Sequence, residues 1–411
     1  MNLSHDDAAI LPSPSLVSSS ISLALSGGNA LGAYAAGACE ALHDAGYSPD
    51  RVSGASIGAV NAAIVAGNPP AQRAEKLREF WRQASTWSAL GPVPAGGRAR
   101  DVYNKLHALQ TVMVGRPGLF TPRSSGFLSL LPGTPSDVGL FDGRPLLATL
   151  ERVVDFDYLN SAALPLVIGC VDLESGEPVY FDSRRQTIEP RHLLASTAFI
   201  PGFPPVEIDG RLLGDPGLLC NLPLDPLLAE PPGGDHVCFA VDLFDARGGR
   251  PFSMDTALER AQDIAFASQS LRTIDAYRRE YRLRHLLARQ APRTEAADAA
   301  GDGETAVALL AYRPPTHEVA AKTLEFSAPS VRERWAAGRQ DMHAAIAALE
   351  AGRATTRDPG FAFFDCRRPL EQPRPEAARE ALEAPAPRGT VVPAEGALQQ
   401  RMSSSAASAP R

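Results

Sequence analysis

Arg51-Val52-Ser53-Gly54-Ala55-Ser56-Ile57-Gly58-Ala59-Val60-Asn61-Ala62-Ala63-Ile64-Val65-Ala66 reads as a short strand, a tight turn and an apolar helix. Its centre, Gly54-x-Ser56-x-Gly58, has the form of a nucleophile elbow. Side chains at positions 54 and 58 would collide with a neighbouring strand or helix, so glycine is required at both. The turn lifts the Ser56 hydroxyl above the sheet edge. The free N–H groups at the start of the following helix point toward the same spot. A small-residue turn without chemistry has the same local signature, so the rest of the chain must choose between them.

Working outward, Ile21-Ser22-Leu23-Ala24-Leu25 is a strand signal, Ser26-Gly27-Gly28-Asn29 a turn, and Ala30 to Ala45 an Ala-rich helix ending at Gly46. After the elbow comes a helix from Ala71 to Ala84, with Phe80 and Trp81 in an otherwise charged segment. Strand–helix–strand–helix is an α/β pattern with parallel strands. Residues 88–140 read as a long insertion rich in Gly, Pro and Ser, with a helical patch at Val102 to Val114. Leu119-Phe120 and Phe127 to Leu131 are apolar islands within it. Further strands are expected at Leu166 to Val171, Val179 to Phe181, Val237 to Leu243 and Thr305 to Tyr312. Val206 to Ile208 and Arg211 to Leu213 form a hairpin about Asp209-Gly210. Thr256 to Ala288 is a long helix whose Leu258, Ala261, Ile264, Ala265, Ser268, Leu271, Ile274 and Tyr281 predict one buried stripe. Helices are also expected at Pro145 to Val154, Arg191 to Ser196 and Val331 to Ala348.

The 411 residues, 44% of them hydrophobic, suffice for one large domain or two ordinary ones. A net charge of −7 without basic blocks argues against a nucleic-acid partner. Cys39, Cys170, Cys220, Cys238 and Cys366 are scattered and odd in number, which fits free thiols in a reducing compartment. No His/Cys cluster has zinc-ligand spacing and no acidic loop has calcium spacing, so no metal or organic cofactor is expected. Asp6, Asp7, Pro12 and Pro14 do not fit a secretory signal, and no run approaches a membrane span. The expected location is cytoplasmic, peripheral at a membrane where the substrate requires it.

A serine nucleophile needs a base and donors for an oxyanion. Gly27-Gly28-Asn29-Ala30-Leu31-Gly32, between a strand and a helix, supplies converging backbone N–H groups. A dinucleotide loop would need a third glycine where Asn29 stands, and a phosphate loop would need a Gly-Lys-Ser/Thr ending.

Ser26-Gly27-Gly28-Asn29-Ala30-Leu31-Gly32-Ala33-Tyr34 followed by Gly54-Ala55-Ser56-Ile57-Gly58 resembles the start of a patatin-like phospholipase. Ser196-Thr197-Ala198-Phe199-Ile200-Pro201-Gly202-Phe203-Pro204-Pro205 resembles that family's third block. Asp215-Pro216-Gly217 with Asn221-Leu222-Pro223-Leu224 resembles its fourth. The resemblance covers about residues 20–230, and the stretch after 235 is similar to the C-terminal extension of one bacterial branch. It implies a three-layer α/β/α sandwich with a mainly parallel central sheet. It also implies a lipid acyl hydrolase, of phospholipase A or lysophospholipase type, acting on a phospholipid or other acyl ester with transient membrane-surface contact.

By the same resemblance the catalytic pair is Ser56 and Asp215, the oxyanion loop Gly27, Gly28, Asn29 and Ala30, and the supporting glycines Gly32, Gly54, Gly58 and Gly217. Asp209 competes for the role of base but reads as an exposed hairpin residue. A semi-buried Asp215 beside Leu213 and Leu218 would have its pKa raised, as a base for serine requires. Three positions depart from the family: Asn29 replaces a glycine, Leu31 an Arg or Lys, and Pro216 a glycine. Proline restricts Asp215 to extended geometry.

The expected organisation is a disordered segment at 1–19, a catalytic domain at 20–230 with the lid-like insertion 88–140, an extension at 231–367 packed on the core, and a disordered tail at 368–411. Two other readings stand beside this one. His236 could complete a Ser–Asp–His triad, although its polar turn reads as a surface loop. A misaimed dyad would leave a non-catalytic lipid-binding or scaffolding protein.

Overall fold

The strand Ser20–Leu25 (β1) is buried along almost its whole length, as expected where helices cover both faces of a parallel sheet. The computed structural model describes residues 15–85, 94, 97–129, 131–134, 136–230, 233–290, 303–315, 318 and 320–368. After β1 come α1 (Gly32–Asp44), β2 (Arg51–Ala55), α2 (Ile57–Ala66), α3 (Pro70–Ser85) and α4 (Gly97–Val114). Then follow β3 (Thr121–Pro122), α5 (Ser124–Leu128), β4 (Phe141–Asp142), α6 (Pro145–Val153) and α7 (Phe156–Asn160). The next group is β5 (Leu166–Asp172), β6 (Pro178–Asp182), α8 (Pro190–Ser196), β7 (Val206–Ile208), β8 (Arg211–Gly214) and α9 (Asp225–Leu228). The last is β9 (His236–Asp242), α10 (Met254–Gln290), β10 (Thr305–Ala311), α11 (Ala328–Glu350), β11 (Thr356–Asp358) and β12 (Phe361–Asp365).

The main sheet runs β11-β12-β10-β9-β1-β2-β5-β8-β7, with β6 also paired to β5. From β12 to β5 every neighbour is parallel, and β11, β6, β8 and β7 join antiparallel. Alternate residues separate two cores. Leu23, Leu25, Phe239, Val241, Ala308 and Leu310 face one core with α1, α2, α3 and α11. Ala24, Cys238, Ala240, Val307 and Leu309 face the other, with Leu227 and Leu228 of α9 and Ile274, Tyr277 and Tyr281 of α10. The architecture is therefore α/β in three layers. Strands β9, β10 and β12 lie beyond residue 230 and continue the same sheet, so the 231–367 region contributes half of its parallel strands.

Two expectations need correction. The predicted stripe on α10 holds at Ile274 and Tyr281, which are buried, but its first half is displaced: Leu258, Ala261, Ile264 and Ala265 are exposed, while Asp263, Ala267 and Ser270 are buried. The buried stripe contains two polar residues because each has a buried partner. Asp263 accepts from Lys322 Nζ at 2.6 Å and Ser270 donates to Asp242 at 2.6 Å. The islands of the 88–140 insertion also divide. Leu119 and Phe120 are buried, with Phe120 stacked edge-on against Phe141 and Phe203, whereas Leu128 and Leu131 are exposed. Leu130, the segments expected to be disordered up to residue 14 and from 369 on, and most of 86–96 lie outside the described residues. No described helix is long and apolar enough to cross a membrane.

Candidate active site

Ser56 caps α2 with φ 53° and ψ −126°, a left-handed conformation that the elbow imposes on a non-glycine residue. The two elbow glycines permit it. A Cβ on Gly54 would lie 2.5 Å from the amide nitrogen of Ala59 on the following helix, and one on Gly58 would lie 2.2 Å from the Leu25 carbonyl oxygen on the neighbouring strand. The Ser56 N–H donates to Ser196 Oγ at 3.0 Å, and Ser196 Oγ–H donates to the Gly169 carbonyl at 2.7 Å. Ser196 thus ties the elbow to the middle of β5.

Sheet register delivers the acid. Ala55 pairs with Gly169, and Val171 pairs with Gly214 of the antiparallel β8. One residue past that pair Asp215 comes level with Cys170 of β5, and Ser56, one residue past Ala55 at the end of β2, is level with the same residue from the other side. Its side chain accepts the Gly217 N–H at 2.8 Å, and the Ser56 hydroxyl is close enough to act on its charge. Burial pushes the Asp215 carboxyl up to about 6, against the lowering effect of the nearby Ser56 hydroxyl and of the Gly217 N–H. Of the two apolar neighbours expected to cover it, Leu213 is buried and Leu218 is exposed.

Pro216 fits this geometry. Asp215 is extended at φ −61° and ψ 127°, which a following proline favours, and Pro216 opens the short 3-10 turn Pro216–Leu218 that Asp215 caps. No positive φ is demanded at position 216. A Cβ on Gly217 would lie 3.0 Å from Asp215 Oδ1, so the glycine keeps the carboxylate close to its donor.

The upstream loop forms a 3-10 turn, Asn29–Leu31, with Asn29 at φ 50°, a conformation asparagine tolerates. The Gly27 N–H donates to the Asn221 carbonyl at 3.0 Å, which removes Gly27 from the donor set expected from sequence. Gly27 serves by close approach instead, since a Cβ there would lie 3.0 Å from Ser56 Cβ and 2.6 Å from Asn221 Oδ1. Gly28, Asn29 and Ala30 carry the N–H groups at the open end of the turn, which have no partner within it. Gly32 has its carbonyl held by Asn61 Nδ2 at 2.9 Å, and a Cβ there would meet Ile57 at 2.7 Å.

Three supporting residues escaped sequence reasoning: Ser196, Asn61 and Gln269. Gln269 of α10 accepts the Asn221 N–H at 2.8 Å and donates to the Gly217 carbonyl at 3.2 Å, strapping the acid's loop. Ser196 at least opens a recognisable block, but no local pattern marks Gln269. An aromatic wall also borders the site. Phe244 and Phe266 stack at 4.8 Å, with Phe199 6.3 Å from Phe266. Cβ atoms built on Gly28 and Gly217 would touch Phe244 and Phe266, at 3.4 and 3.6 Å.

His236 is not the surface-loop histidine expected. It is fully buried as the first residue of β9, with Nε2 2.8 Å from Ser22 Oγ, and burial lowers its pKa to about 4. It pairs with Ser20 at the start of β1, the opposite end of the sheet from Ser56. Asp209 and Gly210 are at φ 51° and 73°, the hairpin turn expected.

Three kinds of comparison bear on this arrangement. The family model described as patatin-like phospholipase matches residues 23–228, and one described as patatin phospholipase matches residues 264–358. Uncharacterized NTE family proteins of Mycobacterium bovis and Mycobacterium tuberculosis are 27% identical over 208 residues, 50% of this chain and 45% of theirs. The chain therefore matches less than half the length of these curated relatives. Among solved structures, VipD from Legionella pneumophila has a TM-score of 0.33 at 14% identity, covering 77% of this chain and 67% of its own. The type III effector ExoU of Pseudomonas aeruginosa has a TM-score of 0.32 at 14% identity, covering 82% and 54%. With a family model spanning half of its length, the chain belongs to the patatin-like phospholipase family.

Proposed function

We propose that the protein is a serine acyl-ester hydrolase acting on lipids through a Ser56–Asp215 dyad, with phospholipid or lysophospholipid as the substrate class. One observation carries the reading. Sheet register sets Ser56 and the buried Asp215 level with each other across β5, burial pushes the Asp215 carboxyl up to about 6, and the loop that leads into the Asn29–Leu31 turn approaches Ser56 so closely that a Cβ on Gly27 would lie 3.0 Å from Ser56 Cβ. A base that is ionised at neutral pH, yet more basic than an exposed aspartate, suits removal of the serine proton.

In the proposed reaction Asp215 takes the Ser56 proton as Oγ attacks the ester carbonyl. The new oxyanion is held by N–H groups of Gly28, Asn29 and Ala30, with the α2 N-terminus adding its dipole. Collapse of the tetrahedral species expels the alcohol, which leaves with the proton from Asp215. Water, deprotonated by Asp215, then attacks the acyl-serine and restores Ser56. The Phe199, Phe244 and Phe266 wall beside the dyad suits an acyl chain better than a polar substituent.

The discriminating experiment is labelling with a fluorophosphonate, read by mass spectrometry. Wild type acquires the label on Ser56, and Ser56→Ala neither acquires it nor hydrolyses p-nitrophenyl butyrate. Folded wild type that takes no label supports the non-catalytic lipid-binding alternative instead. Contact with a lipid surface is tested by the double variant Phe127→Ser, Leu131→Ser. Hydrolysis of phospholipid vesicles should fall several-fold more than hydrolysis of the soluble ester, and equal losses would discard the surface role.

A further inference from the structure

A three-residue 3-10 turn cannot hold its own orientation, because such turns have poor hydrogen-bond geometry and little internal support. Oxyanion donors are useful only when already aimed. The Gly27 side of the turn is clamped by Asn221, whose carbonyl takes the Gly27 N–H and whose Nδ2 donates to the Gly27 carbonyl at 3.1 Å. The other side is held from far away in the sequence. Arg334 of α11 is 1% exposed, and its Nη1 donates to the Ala30 carbonyl at 3.2 Å.

The same guanidinium donates to the Glu325 carbonyl at 2.7 Å, to Glu318 Oε1 at 2.9 Å and to the Lys322 carbonyl at 3.2 Å. Glu325 Oε2 lies 3.5 Å away. A buried guanidinium needs such partners to offset its desolvation, and apolar side chains would fill the same volume without them. The planar fork divides these acceptors between two nitrogens, Nη1 for the Ala30 and Glu325 carbonyls and Nη2 for Glu318 and the Lys322 carbonyl, whereas a lysine ammonium gathers its three donors at one point.

We propose that Arg334 is a positioning residue for the oxyanion turn. It anchors the Ala30 peptide so that the turn's open N–H groups stay aimed at the carbonyl attacked by Ser56. The proposal rests on the hydrolase reading above. Arg334 touches no substrate, so its loss should lower turnover and leave ground-state binding alone.

The test uses full-length wild type, Arg334→Lys, Arg334→Met and the milder Glu318→Gln, with thermal melts to establish folding. Each is assayed with p-nitrophenyl butyrate and with two inhibitors of one chain length. A trifluoromethyl ketone forms a Ser56 hemiketal whose oxygen sits as the oxyanion does, and the matching alkyl methyl ketone stays an uncharged ground-state mimic. In Arg334→Lys, kcat should fall about 10- to 100-fold, the range for misplaced catalytic geometry, with KM within about two-fold. The trifluoromethyl ketone should weaken in step with kcat and the methyl ketone should not. Glu318→Gln, which keeps side-chain shape, should show a smaller loss of the same kind and keeps the proposal testable where the Arg334 variants melt early. Folded variants with wild-type kcat, or equal weakening of both ketones, overturn it. A wild type with neither turnover nor a Ser56 label sinks the hydrolase reading, and the proposal with it.

Discussion

Asp215 carries a stability cost beside its proposed role as base. Burial that pushes this carboxyl up to about 6, from about 4 in the unfolded chain, favours its protonated form in the native protein. Its contribution to stability is full below the unfolded value and is lost as pH rises through about 6. The difference corresponds to roughly 3 kcal/mol, so Asp215→Asn should melt a few degrees higher than wild type at pH 8 and at the same temperature near pH 4. A scanning-calorimetry series across that range checks the sign; a higher wild-type melt at pH 8 contradicts it. Activity runs the opposite way. The rate constant kcat/KM should rise tenfold per pH unit below about 6 and level off above it, because in the proposed reaction only the ionised carboxylate accepts the Ser56 proton. Asp215→Asn should lose about 10³-fold or more of the activity, leaving only what the oxyanion donors and binding provide.

At the scale of elements, helix crossings matter as much as the elbow. Where α1 meets α11, a Cβ on Gly37 would lie 2.1 Å from the Trp335 carbonyl oxygen, and one on Gly338 1.9 Å from the Tyr34 carbonyl oxygen. Both contacts are with backbone, which cannot swing aside, so Gly338→Ala should destabilise the fold by at least ~1–3 kcal/mol. Urea unfolding measures this, and an unchanged midpoint would show that the helices can part freely. The displacement would also move Arg334, which lies on the same helix within four residues of Gly338, so activity should fall with stability. The α10 stripe teaches a related lesson. Hydrophobic spacing pointed to Leu258 and Ile264, yet the sheet received Asp263 and Ser270, because Lys322 and Asp242 await them in the packed structure. Periodicity reports which face is greasy, not which face finds partners.

Over the whole molecule, one sheet joins the two halves of the chain. β1 has six residues paired with β9, four of them apolar, so a chain ending at residue 230 exposes an unpartnered, largely apolar edge at the centre of the sheet. Such a chain should aggregate on expression, where the full chain elutes as a defined species in size-exclusion chromatography. A folded, phosphonate-reactive 1–230 fragment would contradict this. Register also settles His236, which stands ~20 Å or more from Ser56 along the strand direction at about 3.3 Å per residue. His236→Ala should leave kcat within about two-fold of wild type. It should cost stability instead, because a buried ring and its Ser22 contact are lost.

Local chemistry was legible in the sequence wherever a residue has only one way to fit. The elbow, the Asn29 turn and the Asp209-Gly210 hairpin each depend on backbone conformations that few residue types adopt, and all three lie where their sequences place them. The alternation of strands and helices, and with it the α/β class, follows from apolar runs that read the same in the chain and in the fold. The edge strand β11 and its neighbour β12 were not legible, because the Phe361-Ala362-Phe363-Phe364 run carries no topology until β10 is beside it. Only tertiary structure decided that Gly27 gives its N–H to Asn221, that Pro216 opens a turn compatible with Asp215, and that Arg334 reaches the Ala30 carbonyl across 304 positions. The reason is physical. Turn chemistry is set by neighbours in the chain, whereas a donor's partner, and the solvation of a charge, are set by whatever the packed sheet brings alongside.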